Sequence, residues 1–221
     1  MRAAPEAYVA ERTRFKREPR GDRFMHVVEI MIDGQYRPVL ESVEPAFDGE
    51  PAADWPPSPP LKDWHFEERA AGAAFMAVGA AGKSHWSAAI EIARPATDKV
   101  SGTVFESEVR GRESGLVRHG ARHTSASTKK TVPDTFYRVR FDVAARLAGT
   151  PRFLGSRYQC PATCRCIDAT CVALLPGVSL QCDPATTRVH LDESSGTLVI
   201  EPLPITATAW PQTIRWRYWI P

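Results

Sequence analysis

The sequence predicts an all-β protein, an antiparallel β-sandwich or barrel with a Cys-rich loop and a short N-terminal helix. Three observations favour this fold class. Several segments place apolar residues at every second position, which is the period of a half-buried strand. The 14 glycines and 19 prolines separate these segments at short intervals. No segment has the period of a long amphipathic helix.

The N-terminal residues 1–23 form a basic segment for which we predict a weak helix. Pro5 suits the first turn of a helix, whereas Pro19 and Gly21 suit its end. The helix would therefore run from Pro5 to Glu18. Its apolar face is small, so we expect it to pack only weakly against the rest of the protein.

A single β domain is expected over residues 24–221. It begins with two apolar strands on either side of Asp33-Gly34, a dipeptide that suits a tight hairpin turn. A Pro-rich loop is expected at residues 50–64, because proline lacks the backbone donor that helices and central strands need.

The alternation of apolar and charged residues is clearest between residues 137 and 143. The residues predicted to point into the core are Tyr137, Val139, Phe141 and Val143. The same period surrounds Trp86 and Trp216, and the residues flanking Gly196 predict a second hairpin.

The composition is that of an ordinary soluble globular protein, with 43% apolar and 24% charged residues. The formal net charge of +2 is too small to indicate a nucleic-acid or membrane partner by itself. No apolar segment approaches the roughly 20 residues of a membrane span, and charged residues interrupt the region where a secretion signal would lie. We therefore expect a cytoplasmic protein, whose partners must be inferred from local features.

One such feature is the segment from Val109 to Thr131, which carries six basic residues and one acidic residue among glycines and serines. Such a loop could hold an anionic or acidic partner, including a nucleic acid, through charge-assisted hydrogen bonds. A solvated connection between strands is the alternative. The residues predicted to bind an anionic ligand are Arg118, Arg122, Lys129 and Lys130.

Five cysteines have the spacing C-x3-C-x-C-x4-C-x10-C. Four thiolates so close in the chain could bind one structural zinc ion. The predicted ligands are Cys160, Cys164, Cys166 and Cys171, with Cys182 as a substitute. The spacing of the second to fourth cysteines resembles the zinc knuckle of SET-type methyltransferases, although no other motif of that family is present. Disulfides and inert thiols are the alternatives.

Motifs for catalysis are missing from the sequence, which has no nucleophile elbow, P-loop or dinucleotide-binding glycine motif. His119 and His123 have a spacing that allows joint metal binding, and Glu106 and Glu108 would share one face of a strand. Solvated surface residues are the simpler interpretation of both pairs. The sequence therefore predicts a non-catalytic binding or structural module, with a metal-dependent enzyme as the alternative.

Overall fold

The computed structural model describes residues 2–43, 62–94 and 138–221, except positions 22, 82, 152, 193, 207 and 208. Every regular element within these ranges is a β-strand. The strands of the first two ranges are β1 (Arg2–Ala3), β2 (Ala7–Ala10), β3 (Thr13–Arg20), β4 (Arg23–Ile32), β5 (Gln35–Ser42), β6 (Lys62–Arg69), β7 (Gly72–Ala81) and β8 (Ser84–Ala93). Those of the third are β9 (Arg138–Leu147), β10 (Ser156–Gln159), β11 (Arg165–Cys166), β12 (Cys171–Leu175), β13 (Val178–Cys182), β14 (Thr187–Asp192), β15 (Thr197–Pro202) and β16 (Gln212–Ile220).

These strands form two antiparallel sheets. The strand order of the first sheet is β1-β6-β7-β8-β9-β16-β13-β12-β11, and that of the second is β14-β15-β10-β5-β4-β3-β2. The predicted all-β class is therefore confirmed. The barrel alternative is wrong for the described strands, because each sheet ends in two different edge strands instead of closing on itself.

Strand β9 has the facing that its alternation predicts. Its buried residues include Val139, Phe141 and Val143, and Arg140 between them is exposed. The remaining predicted position, Tyr137, lies outside the described residues. The inward face of β9 therefore follows directly from the period of the sequence.

The hairpin predicted at Asp33-Gly34 joins β4 to β5. Asp33 and Gly34 have φ angles of 50° and 77°, the positive values that a two-residue hairpin turn needs. Ile32 pairs with Gln35 on either side of the turn. The second predicted hairpin is also present, between β14 and β15 around Gly196.

The predicted N-terminal helix is wrong, because the segment forms strands β2 and β3. In β3, Phe15 is buried, whereas Arg14 and Lys16 lie on the outer face. Both cations contact Glu29 of the neighbouring strand β4, so cross-strand ion pairs stabilise a strand that is rich in charge. Pro19, which suggested the end of a helix, lies instead near the end of β3.

The predicted Cys-rich loop is likewise not a simple loop. After a turn at residues 161–164, the chain forms the short strand β11, which pairs with β12. The next residues reach the second sheet, where the backbone N–H of Val189 in β14 donates to the carbonyl of Ala169 over 2.8 Å. Backbone hydrogen bonds thus order this segment.

The two sheets face each other across one hydrophobic core. The ring centroids of Phe15 in β3 and Phe75 in β7 are 4.9 Å apart, and those of His26 in β4 and Phe141 in β9 are 5.8 Å apart. Each pair joins one sheet to the other. Aromatic pairs of this kind contribute about 0.5–1.5 kcal/mol beyond their area burial.

Hydrogen-bonded polar side chains also cross this core. The Nε2 atom of His26 lies 2.9 Å from the hydroxyl oxygen of Tyr158, which lies 2.5 Å from that of Tyr218. The indole N–H of Trp216 donates to Ser156 Oγ over 3.1 Å. The Tyr158–Tyr218 and Ser156–Trp216 contacts each join β10 of the second sheet to β16 of the first, so these hydroxyl and indole groups find partners across the sheets.

Candidate binding site

A cleft of about 460 Å³ lies on the outer face of the second sheet, along β14, β15 and β10. Strand alternation turns Ser156 and Tyr158 into the core, so Arg157 between them faces the cleft. Antiparallel pairing sets Arg157 beside Val199, and Val199 beside His190. The polar residues that line the cleft are Arg157, His190, Asp192, Ser195, Thr197 and Glu201.

Arg157 is the cation of this cleft. Its guanidinium carbon lies 4.4 Å from the ring centroid of Phe153, a cation–π contact that holds the guanidinium group in place. The Nε atom is buried and has no hydrogen-bond partner among the described residues. Because an unsatisfied buried donor costs about 1–3 kcal/mol, a movement of the side chain that brought this N–H to an acceptor in the cleft would be favourable.

The two carboxylates of the cleft, in contrast, are already occupied. Glu201 accepts a hydrogen bond from Arg188 over 2.9 Å and lies 3.5 Å from Nδ1 of His190. Asp192 accepts hydrogen bonds from the hydroxyls of Ser194 and Ser195 over 2.6 and 2.9 Å. The bond from the Ser194 hydroxyl is the main reason why the pKa of Asp192 lies below its usual value.

The cysteines lie in three different surroundings. Cys160 and Cys164 line a second cleft of about 440 Å³, and the thiol of Cys160 donates to the carbonyl of Gly196 over 3.5 Å. Cys166 is exposed on the edge strand β11. Cys171 and Cys182 lie on the paired strands β12 and β13, and only Cys182 is buried in the core.

These positions do not assemble the predicted zinc site. Among the described residues, which include all five cysteines, no group of three or more His, Cys, Asp or Glu side chains is arranged to hold a metal ion. The zinc site over Cys160, Cys164, Cys166 and Cys171 stays a prediction, because a metal can order its own ligands when it binds.

Several other predicted residues lie outside the described part of the chain. These are the anion-binding residues Arg118, Arg122, Lys129 and Lys130, and the pairs His119 and His123, and Glu106 and Glu108. The Pro-rich segment is also outside it up to residue 61, and residues 62–64 belong to β6.

The sequence analysis did not identify the cleft around Arg157. Its lining residues come from β10, from the hairpin of β14 and β15, and from Phe153, so they meet only once these strands pair. The available signal was the short alternation of Ser156, Arg157 and Tyr158, which is too brief to distinguish a strand from a turn.

Comparison with known proteins yields no match: no protein-family model, no curated protein and no solved structure matches this chain. Within the described ranges, no helix has the length and apolar character needed to cross a membrane.

Proposed function

We propose that this chain is a β-sandwich binding module whose Arg157 cleft accepts an acidic group of a protein or peptide partner. The observation that carries the proposal is the Nε atom of Arg157, which is buried without an acceptor among the described residues although Arg157 itself lines an open cleft. A shift of the side chain would bring this N–H to a ligand in the cleft. A carboxylate suits this position because it can accept two parallel hydrogen bonds from one guanidinium group.

The sandwich architecture is supported by ring contacts between the two sheets, such as that of Phe15 with Phe75. In this architecture each sheet has one face in the core and one face available for binding. The Arg157 cleft lies on the available face of the second sheet. A rigid strand therefore positions the arginine, which limits the entropy lost on binding.

The charges around Arg157 favour a single acidic group over a polyanion. Asp192 and Glu201 are held by their own neighbours, so they do not occupy the Arg157 guanidinium group. Their negative charge nevertheless opposes a highly charged ligand. We therefore expect moderate affinity for one well-placed carboxylate, for example a glutamate side chain in an extended peptide.

The test is a calorimetric titration of the full chain with a capped tetrapeptide that carries one glutamate among three glutamines, using capped tetraglutamine as the uncharged control peptide. We expect binding of the glutamate-containing peptide alone, and a loss of about tenfold or more in affinity for Arg157→Gln, which corresponds to roughly 1.4 kcal/mol. The matched control variant is Arg146→Gln, because Arg146 is an exposed arginine of β9 in the other sheet. Equal affinity for the two peptides, or an unchanged affinity of Arg157→Gln, would refute the proposal.

A further inference from the structure

The second sheet has an unpaired edge beside β5. Strand β5 pairs with β4 over almost its whole length. On its other side β10 pairs only with Glu41 and Ser42, because β10 ends at Gln159. No other described strand pairs with β5 on this side. The edge of β5 over residues 35–40 therefore lacks a partner among the described strands, and Pro38, which has no backbone N–H, is tolerated there.

A cleft of about 420 Å³ lies along this edge, and its volume is typical of sites for small ligands. Strand β5 forms one wall, whereas the turn after β10 and the end of β12 form the other. The backbone N–H of Cys164 closes this turn by donating to the carbonyl of Pro161 over 2.8 Å. The hydroxyl of Thr163 holds the turn against β12 by donating to the carbonyl of Leu174 over 2.9 Å. Both walls are therefore ordered before a ligand binds, which limits the entropy lost on binding.

This β5 cleft combines an apolar surface with two opposite charges. Pro38, Pro161 and Leu175 supply apolar surface, and the charged residues of the lining are Arg37 and Glu41. Neither charged side chain has an ion pair or a hydrogen bond with another described residue. Both charges are therefore available to a ligand, and an apolar pocket with a few polar groups is the usual form of a small-ligand site.

The spacing of the two charges suits the two ends of a short peptide. Arg37 and Glu41 lie four residues apart on β5, which is at most roughly 13 Å at ~3.3 Å per residue. An extended peptide of three residues spans about 10 Å, and the flexible side chains of Arg37 and Glu41 can close the remaining distance. The terminal carboxylate and ammonium group of such a peptide complement the charges of this arginine and this glutamate.

We propose that the β5 cleft binds a short apolar peptide with free termini, extended and antiparallel to β5. The carboxylate of the peptide contacts Arg37, its ammonium group contacts Glu41, and its central side chain packs on the apolar surface. The peptide then follows the line of β10, which is itself antiparallel to β5, and lies beside the unpaired backbone groups of β5. This cleft shares no lining residue with the Arg157 cleft, so the two sites are independent.

The test is a calorimetric titration of the full chain with the tripeptide alanyl-leucyl-alanine. One control is the same tripeptide with both termini capped, which removes the two charges, and the other is alanyl-seryl-alanine, which removes the apolar side chain. We expect each control peptide to bind about tenfold or more weakly than the uncapped leucine peptide. Equal affinity for the capped and uncapped peptides, or no binding of the uncapped peptide at millimolar concentration, would overturn the proposal.

Charge-removing variants place the peptide in this cleft. Arg37→Gln and Glu41→Gln should each lose about tenfold in affinity for the uncapped leucine peptide and bind the capped form as the parent does. The matched controls are Arg146→Gln and Glu68→Gln, which change exposed residues of the first sheet and should behave as the parent. Parental affinity in both Arg37→Gln and Glu41→Gln would show that the peptide binds elsewhere and refute the proposal. In the parent chain, peptide-induced amide shifts in the NMR spectrum should include Thr163, and their absence there would also refute it.

Discussion

The imidazole Nε2 of His26 lies 2.9 Å from the hydroxyl of Tyr158, in the centre of the core and away from water. The ring of His26 also contacts Phe15 and Phe141, which offer no counter-charge. Burial consequently lowers the pKa of His26 to about 3. The folded protein therefore holds this histidine neutral over the whole physiological range.

The stability of the fold should depend on pH through His26. In the unfolded chain the imidazole has a pKa near ~6.5, so between about pH 6.5 and pH 3 the unfolded state binds a proton that the native state does not. The stability that depends on a neutral His26 is fully present above pH 6.5. As the pH falls toward 3, the free energy of unfolding decreases by up to about 1.4 kcal/mol per pH unit. Urea unfolding at a series of pH values measures this slope.

The control for this prediction is a pair of glutamine variants. His26→Gln lacks the titrating group, so its stability should fall less steeply than that of the parent below pH 6.5. His65→Gln changes an exposed histidine of β6 and should keep the parent's slope. Parallel curves for the parent and His26→Gln would show that His26 does not control the acid response.

Truncation of Phe141 should strongly destabilise the protein. Its ring is 1% exposed and stacks on Tyr218 with centroids 4.7 Å apart and an interplanar angle of 10°. Removal of a buried aromatic ring leaves a cavity, so we expect Phe141→Ala to lower the free energy of unfolding by about 3–5 kcal/mol. Arg146→Ala, an exposed change on the same strand, should stay within about 0.5 kcal/mol of the parent. A melting temperature of Phe141→Ala within about a degree of the parent's contradicts the prediction.

A methyl group at Gly72 should also be destabilising. Gly72 begins β7 with a φ of 151°, and a Cβ atom there would overlap the carbonyl oxygen of Ile92 on the paired strand β8. We expect Gly72→Ala to cost on the order of 1–3 kcal/mol, because backbone and not a flexible side chain must move. Gly149→Ala is the matched control, since an added Cβ there meets no atom within 4 Å. Equal destabilisation of the two variants in urea unfolding would argue against the close approach of β7 and β8.

The basic segment between Val109 and Thr131 remains a separate prediction. If it binds polyanions, replacement of its four predicted ligands by serine should weaken heparin and duplex DNA binding at low salt, because phosphate contacts are lost. For DNA, each lost contact should also reduce the steepness of log affinity against log salt concentration by roughly 0.9. These ligands are Arg118, Arg122, Lys129 and Lys130. Binding is measured by fluorescence anisotropy across a salt series.

A matched variant controls for the loss of net charge in that experiment. It replaces four exposed arginines of the first sheet by serine: Arg138, Arg140 and Arg146 of β9 and Arg215 of β16. This variant should retain most of the affinity if the basic segment is the binding surface. Equal losses in both variants would instead indicate non-specific attraction to the whole protein.

The fold could be predicted where short-range chemistry decides it. The alternation of Val139, Phe141 and Val143 sets the inner face of β9, and Asp33-Gly34 sets a turn that needs positive φ angles. Both signals are contained within a few neighbouring residues. The N-terminal strands were missed because their outward positions depend on Glu29, a partner on another strand. Such pairing cannot be deduced from the segment itself.

The candidate site could not be predicted for the same physical reason. Arg157 and Glu201 approach each other only because β10 pairs with β15, and the sequence does not state which strands are neighbours. The cysteines show the converse case. Their spacing predicts a shared site, but pairing of β11 and β12 holds Cys166 on an exposed edge strand, whereas Cys182 is buried.

The position of β16 has a consequence for how this protein must be made. In the first sheet β16 lies between β9 and β13, although the chain passes through β14 and β15 of the second sheet before β16 begins. A ribosome therefore releases β9 and β13 before the strand that joins them. Until β16 emerges, both strands expose unpaired backbone groups, and such edges recruit other chains. We expect the nascent protein to depend on chaperones, and truncation before β16 to leave an aggregating product.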